Sequence, residues 1–255
     1  MQPNLRIGAL ISGGGTNLQA VIDACESHAI SGQIVFVGTD NPEAKGLDRA
    51  RRHNIPSFIV DYGSILRQYR QDPTRQPLPD NFDFEDTQKK CRLFPPETSD
   101  ERIRQFLETR AIAEAALVDA MQPYPYDLLI LAGFMRNLTP YFIDRVNTDR
   151  SKPRIMNIHP AILPSFPGVD GYGDTFNYGC KVGGCTVHFI DYGEDSGPII
   201  GQRAFAIKPG DTLEDVKRNG LAEEWKLYPQ CIELFAQGKL EVVANGHRRI
   251  VAIAP

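Results

Sequence analysis

The chain has 255 residues, 42% of them hydrophobic and 24% charged, which is enough to bury a sizeable core in one large domain. A net charge of -4 gives no general attraction for nucleic acid or an anionic membrane, so any anion it binds must be met by local groups. That balance counts against a tRNA or DNA substrate.

The N-terminus, Met1 to Arg6, runs straight into a strand-like segment without the basic start, apolar stretch and cleavage site of a secretory signal. No apolar run approaches the ~20 residues that span a bilayer. The cysteines (Cys25, Cys91, Cys180, Cys185, Cys231) are odd in number and scattered, and neither a disulfide framework nor a zinc site is expected from them. Reduced thiols in a cytoplasmic protein are the expectation.

Leu5–Ile11 is apolar and β-prone and stops at Ser12-Gly13-Gly14-Gly15-Thr16-Asn17, after which Leu18, Val21 and Ile22 recur at helical spacing. This predicts a strand, a tight glycine loop and a helix. A strand at 34–37, a helix through 44–53 and a strand at 57–60 follow. From about Tyr69 to Pro96 the chain is polar and rich in Pro, Asp, Gln and Arg. Its composition predicts a solvated, mobile surface insertion; a lid over a binding cleft or an oligomer contact is the alternative.

Regular patterning returns with Ser99 and Asp100 as helix-capping candidates and an apolar stripe through Ile103, Phe106, Leu107, Ala113, Leu117 and Met121. Asp127–Ala132 reads as a buried strand, 140–146 as a short helix, 154–158 as a strand ending in His159-Pro160, and 185–190 and 198–202 as two more strands. A long helix at about 212–237 and two short strands complete the chain. Strands alternating with helices predict an α/β fold: a Rossmann-like, mostly parallel sheet with helices on both faces, mixed toward the C-terminus. A single domain is expected over 1–255, with a polar insertion at about 69–108.

Three places carry candidate chemistry. The glycine loop lets the backbone approach a ligand, and the N–H groups opening the next helix can hold a phosphate. Its spacing is neither the dinucleotide fingerprint nor a P-loop, and a plain turn capped by Thr16 or Asn17 is the competing reading. Strand alternation sends Asn157 and His159 to the same face at the carboxyl edge, where open α/β sheets bind ligands. The acidic loop Asp191-Tyr192-Gly193-Glu194-Asp195 offers a carboxylate that could orient His159 and favour its charged form.

Ser12-Gly13-Gly14-Gly15-Thr16-Asn17, Leu131-Ala132-Gly133-Phe134-Met135-Arg136, Asn157-Ile158-His159-Pro160 through Pro167-Gly168, and Gly184-Cys185-Thr186-Val187-His188-Phe189 through Asp195-Ser196-Gly197-Pro198 occur in one order. Together with Glu223-Glu224-Trp225-Lys226-Leu227-Tyr228-Pro229 they resemble the phosphoribosylglycinamide formyltransferase family over nearly the whole chain except about 69–108. The resemblance implies a catalytic trio of Asn157, His159 and Asp195. It places a substrate phosphate on Gly15, Thr16 and Asn17, the substrate ribose near Glu224, and a folate along Met135, Arg136, Asn137 and Leu138. Arg110 falls where the glutamate tail of the folate is met. The implied reaction moves the formyl group of 10-formyltetrahydrofolate, as co-substrate, to the amine of glycinamide ribonucleotide, a step of purine synthesis, without a metal.

The trio suits that chemistry on general grounds. Amine attack on a formyl carbon puts negative charge on oxygen, and the Asn157 amide and a protonated His159 can donate to it, while Asp195 holds the histidine and helps remove the amine proton. The family often carries a His-containing stretch after Pro167-Gly168, whereas here Val169 to Phe176 has none, so acceptor recognition is expected to differ in detail. A folate-dependent hydrolase would use the same trio but is expected to carry a further domain ahead of the glycine loop. A non-catalytic sensor of folate or phosphometabolites would not need the trio. Small molecules are the expected partners, with a homodimer the assembly to consider and neither nucleic acid nor membrane involved.

Overall fold

The computed structural model describes residues 5–149 and 151–254. The first four residues, on which the reading of the N-terminus rests in part, lie outside them. Seven strands form one sheet in the order β3-β2-β1-β4-β5-β6-β7. These are β1 (Leu5–Ile11), β2 (Gly32–Thr39), β3 (Ser57–Ile59), β4 (Leu128–Leu131), β5 (Ile155–His159), β6 (Val182–Phe189) and β7 (Ile199–Ala206). The first five pair in parallel; β6 runs antiparallel to β5, and β7 antiparallel to β6. A separate antiparallel pair, β8 (Leu240–Asn245) and β9 (Arg248–Ile253), follows. The α/β class and the mixed C-terminal half are as expected from the sequence.

The reason lies in two-sided burial. On β1, Ile7, Ala9 and Ile11 belong to one core cluster and Leu10 to the other; on β4, Leu128 and Ile130 part from Leu129 and Leu131 in the same way. A strand covered on both faces has no polar face to show, so its sequence reads as a continuous apolar run. One cluster packs against α1 (Thr16–Glu26) and α8 (Leu213–Ala236) through Leu18, Val21, Leu227 and Ile232. The other meets α5 (Asp100–Met121) and α6 (Pro140–Val146) through Leu117, Met121, Phe142 and Val146. Ser99 caps α5, and Thr212 with Asp215 forms a capping box on α8. Tyr228, fully buried in α8, places its hydroxyl 3.1 Å from the Leu131 carbonyl and 2.9 Å from that of Met156, tying the helix to neighbouring strands just below their carboxyl ends.

The segment 69–96 departs in part from expectation. It is largely exposed, as expected, but not without structure: α3 (Tyr62–Gln71) runs into it, a 3-10 turn spans Pro73–Arg75, and α4 (Phe84–Lys90) lies within it. Its polar residues are spent locally, with the Asp72 side chain accepting from Thr74 N–H and Asp83 from Asp86 N–H. Two of its sparse apolar residues find aromatic neighbours, Phe82 against Tyr141 at 5.7 Å and Phe94 against Phe106 at 5.2 Å. A composition scan cannot see such pairings, because the partners come from elsewhere in the chain. A further short helix, α7 (Gly171–Asn177), occupies the stretch where the histidine is missing and is capped by Asp170.

Candidate active site

Order reverses between β1 and β4, and the cleft opens along the carboxyl edge of β1, β4 and β5. Its volume is about 450 Å³, and its lining includes Asn17, Arg110, Met135, Arg136, Asn137, Leu138, Asn157, His159, Asp195 and Glu224. The structure thus brings together all but two of the residues singled out in the sequence. Gly15 forms the start of α1, and Thr16 faces a separate recess beside Arg49 and Trp225.

Alternation on β5 buries Met156 and Ile158 in one core and turns Asn157 and His159 to the opposite face. Antiparallel pairing with β6 sets His188 directly across from Asn157. Four side chains then form a connected row. Asn157 Nδ2 lies 3.2 Å from His188 Nε2, His188 Nε2 lies 3.5 Å from Asp195 Oδ1, and Asp195 Oδ2 lies 3.1 Å from His159 Nδ1. The Gly168 N–H donates to Asp195 Oδ2 at 2.8 Å, and His159 Nε2 lies 2.8 Å from the Phe166 carbonyl. Burial works to raise the Asp195 carboxyl, but His188, His159 and the Gly168 N–H together hold it below its ordinary value, so a charged carboxylate is kept in a nearly dry place.

His188, fully buried, was quoted in the sequence motif but given no role. Alternation on β6 alone does not show that it faces Asn157; that needs the β5–β6 register. Its Nδ1 lies 3.0 Å from the Phe189 carbonyl. With Nδ1–H given to that carbonyl, the nitrogen facing both Asn157 and Asp195 is the one that decides how the Asn157 amide turns.

Gly15 takes φ 66 as the N-cap of α1, the left-handed conformation that a glycine adopts without strain. The helix has no side-chain cap and no acidic residue in its first turn, so its leading N–H groups are free to meet an anion. Neither Thr16 nor Asn17 supplies the cap that the competing reading required. Asn17 instead donates from Nδ2 to Glu224 Oε2 at 2.5 Å, and Tyr172 of α7 donates to Glu224 Oε1 at 2.5 Å. Burial pushes the Glu224 carboxyl up, against the pull of those two hydrogen bonds.

At the other end of the cleft, Leu93, Phe106, Phe134, Leu138 and Ile190 make an apolar wall. Arg110 lies there with its guanidinium over Phe106 at 4.8 Å and Tyr62 at 5.3 Å, and its Nε is buried without a hydrogen-bond partner. Burial lowers the Arg110 guanidinium from its ordinary value. Arg136 is committed to buried Asp40 at 2.5 Å, and Ser12 bridges that carboxylate to the Met135 N–H, which fixes the loop after β4.

Glu114 pins the end of the same loop. Fully buried on α5, it accepts from Thr139 N–H at 2.8 Å and from the Thr139 hydroxyl at 2.5 Å, where α6 begins. Burial raises its carboxyl to about 7, against the pull of Thr139 and Arg110. A carboxyl raised in the folded state binds its proton more tightly there than when unfolded, so stability falls as pH rises from about 4.3 to about 7, on the order of 3 kcal/mol in all. Glu114→Gln can keep both contacts, with its amide donating to the Thr139 oxygen, and urea unfolding from pH 4 to 8 is expected to lose that slope.

A doubly wound α/β sheet with an Asn–His–Asp row at its carboxyl edge and an uncapped helix start beside it makes the small-molecule site of an α/β enzyme. The chain belongs to the formyl transferase family, whose model matches residues 5–232. It is similar to the phosphoribosylglycinamide formyltransferase of Haemophilus influenzae, 31% identical over 240 residues, covering 94% of this chain and 91% of the relative. It is also similar to the Trifunctional purine biosynthetic protein adenosine-3 of Bos taurus, 29% identical over 241 residues, where the match covers 94% of this chain but 19% of that longer protein. Among solved structures, glycinamide ribonucleotide transformylase 1 from Symbiobacterium toebii superposes with a TM-score of 0.72 at 37% identity, covering 99% of this chain and 95% of that one.

Proposed function

We propose that this protein transfers the formyl group of 10-formyltetrahydrofolate to the amine of glycinamide ribonucleotide, with Asn157, His159 and Asp195 as its catalytic residues. The observation that carries the reading is their convergence on one cleft that Asn17 and Glu224 also line. The cleft suits the two substrates at opposite ends. A long aromatic anion fits the apolar wall that ends in Arg110, whose unpartnered Nε needs an acceptor. A phosphate fits the open helix start at Gly15, Thr16 and Asn17, and a ribose hydroxyl fits Glu224.

Between them the amine attacks the formyl carbon, the carbonyl oxygen takes on negative charge, and the nitrogen must lose a proton. The Asn157 amide serves the oxygen when Oδ1 accepts from His188 Nε2–H, which turns Nδ2 into the cleft. His159 Nε2–H, shared with the Phe166 carbonyl in the free protein, is the second donor. Asp195 orients the imidazole and is the base toward which the amine proton moves, directly or through water. Collapse of the tetrahedral intermediate then breaks the bond between the formyl carbon and the folate nitrogen, which leaves carrying that proton. Met135, Arg136, Asn137 and Leu138 form the edge along which the folate ring would lie, with Arg136 acting through the loop shape that its pairing with Asp40 maintains.

The test is to mix the protein with 10-formyl folate and glycinamide ribonucleotide and follow the deformylated carrier by absorbance. Acceptor-dependent release is expected. Release without acceptor would make the protein a hydrolase, and no release under either condition would make it a binding module. Gly15→Val is expected to raise the acceptor KM about tenfold or more, the loss of a charge-assisted hydrogen bond, while the folate KM stays put. A Cβ there would sit 3.0 Å from Gly46 Cα and at a positive φ, so the loop must move. An unchanged acceptor KM would remove the phosphate from this loop.

A further inference from the structure

The polar segment 69–96 reaches the loop that carries Asp195. Just past α4, Arg92 N–H donates to the Tyr192 carbonyl at 2.9 Å, and Arg92 forms a parallel bridge with Gly193. From α4, Lys90 Nζ lies 2.9 Å from Asp144 Oδ2 and 2.5 Å from Asp86. The other oxygen of Asp144 accepts from the Tyr192 hydroxyl. One backbone contact and one side-chain chain therefore run from α4 to the same stretch of loop. Asp195, a few residues on, holds φ 46, a left-handed conformation that a residue with a Cβ keeps only where its surroundings impose it. Its carboxylate has a narrow task, within reach of His159 and His188 at once.

We infer that α4 and its exit form a brace for the catalytic loop, with Lys90 a positioning residue that acts through Asp144 and Tyr192 to aim Asp195. The inference rests on the formyl-transfer reading for its effect on turnover, but not for its effect on the loop. Misplacing a reacting group by about 1 Å can cost up to about a hundredfold in rate. Lys90→Met, which keeps the packed stem and removes the charge, is expected to lower kcat about tenfold with the acceptor KM unchanged, and Lys90→Arg to recover most of the loss. Tyr192→Phe deletes one hydroxyl in the same chain, gives the same test should Lys90→Met fail to fold, and is expected to add little to Lys90→Met in the double variant.

Amide hydrogen exchange of residues 190–198, measured on the same full-length proteins, reads the brace without turnover. Faster exchange in Lys90→Met is expected. Unchanged exchange, or a kcat per folded molecule equal to that of the unmutated protein, overturns the brace. Absence of transfer by the unmutated protein would defeat the formyl-transfer reading instead and leave the exchange result to decide the brace.

Discussion

His159→Ala is expected to lower kcat about 10²–10⁴-fold, the range spanned by loss of a positioned acid–base group and of an oxyanion donor. His159 is buried, with one ring nitrogen toward Asp195 Oδ2 and the other toward the Phe166 carbonyl. An imidazole satisfies two oxygen acceptors together only as a double donor. Alanine removes that donor from the reacting oxygen and leaves Asp195 facing Gly168 N–H and His188 alone. Both KM values are expected to change little, since the ring contributes mainly as charge develops. His159→Gln, which retains bulk and one donor, separates a cavity effect from a chemical one: it should fold like the unmutated protein and still turn over slowly. A His159→Ala protein with near-normal kcat would take this histidine out of the mechanism.

Asp195→Asn is expected to lower kcat by a similar factor, about 10²–10⁴-fold, by a different route. Two donors, His159 Nδ1–H and Gly168 N–H, converge on Oδ2, so the amide oxygen must take that side and the NH2 must face His188. His188 Nε2 then has to accept, and it can no longer donate to an Asn157 turned with Nδ2 toward the cleft. One substitution thus removes the negative charge beside His159 and turns the other proposed oxyanion donor away. The same variant carries a stability signature. The Asp195 carboxyl lies below its ordinary value in the folded state, so its ionised form stabilises the protein above a pH of about 3.9, and that contribution is lost as pH falls through the lowered folded value. Chemical unfolding from pH 7 down to 3 should show the unmutated protein losing this increment on acidification while Asp195→Asn does not. Parallel curves would mean the carboxylate is not held as its contacts indicate.

Much of this site could be read from local pattern. The period of two on β5 places Asn157 and His159 on one face whatever the rest of the chain does, and the glycine run before Leu18 places a tight loop ahead of a helix. What could not be read were relations between distant segments. His188 became part of the site through the β5–β6 register, and Asn17 and Tyr172 became partners of Glu224 through the packing of α1 and α7 on α8. The helices within the polar stretch 69–96 were not legible for the same reason, since Phe82, Lys90 and Phe94 are anchored by Tyr141, Asp144 and Phe106.

By itself, then, the order of residues determined the alternation of strands and helices, the two-sided apolar strands of a parallel sheet and the polar pair at one strand end. Those follow from backbone geometry and periodic burial, which act over a few residues. The tertiary structure alone decided which side chains meet: the Asn157–His188–Asp195–His159 row, the uncapped start of α1 beside Glu224, and the contact of α4 with the Asp195 loop. Contacts of that kind depend on register and packing between elements far apart in the chain, and no local periodicity encodes them.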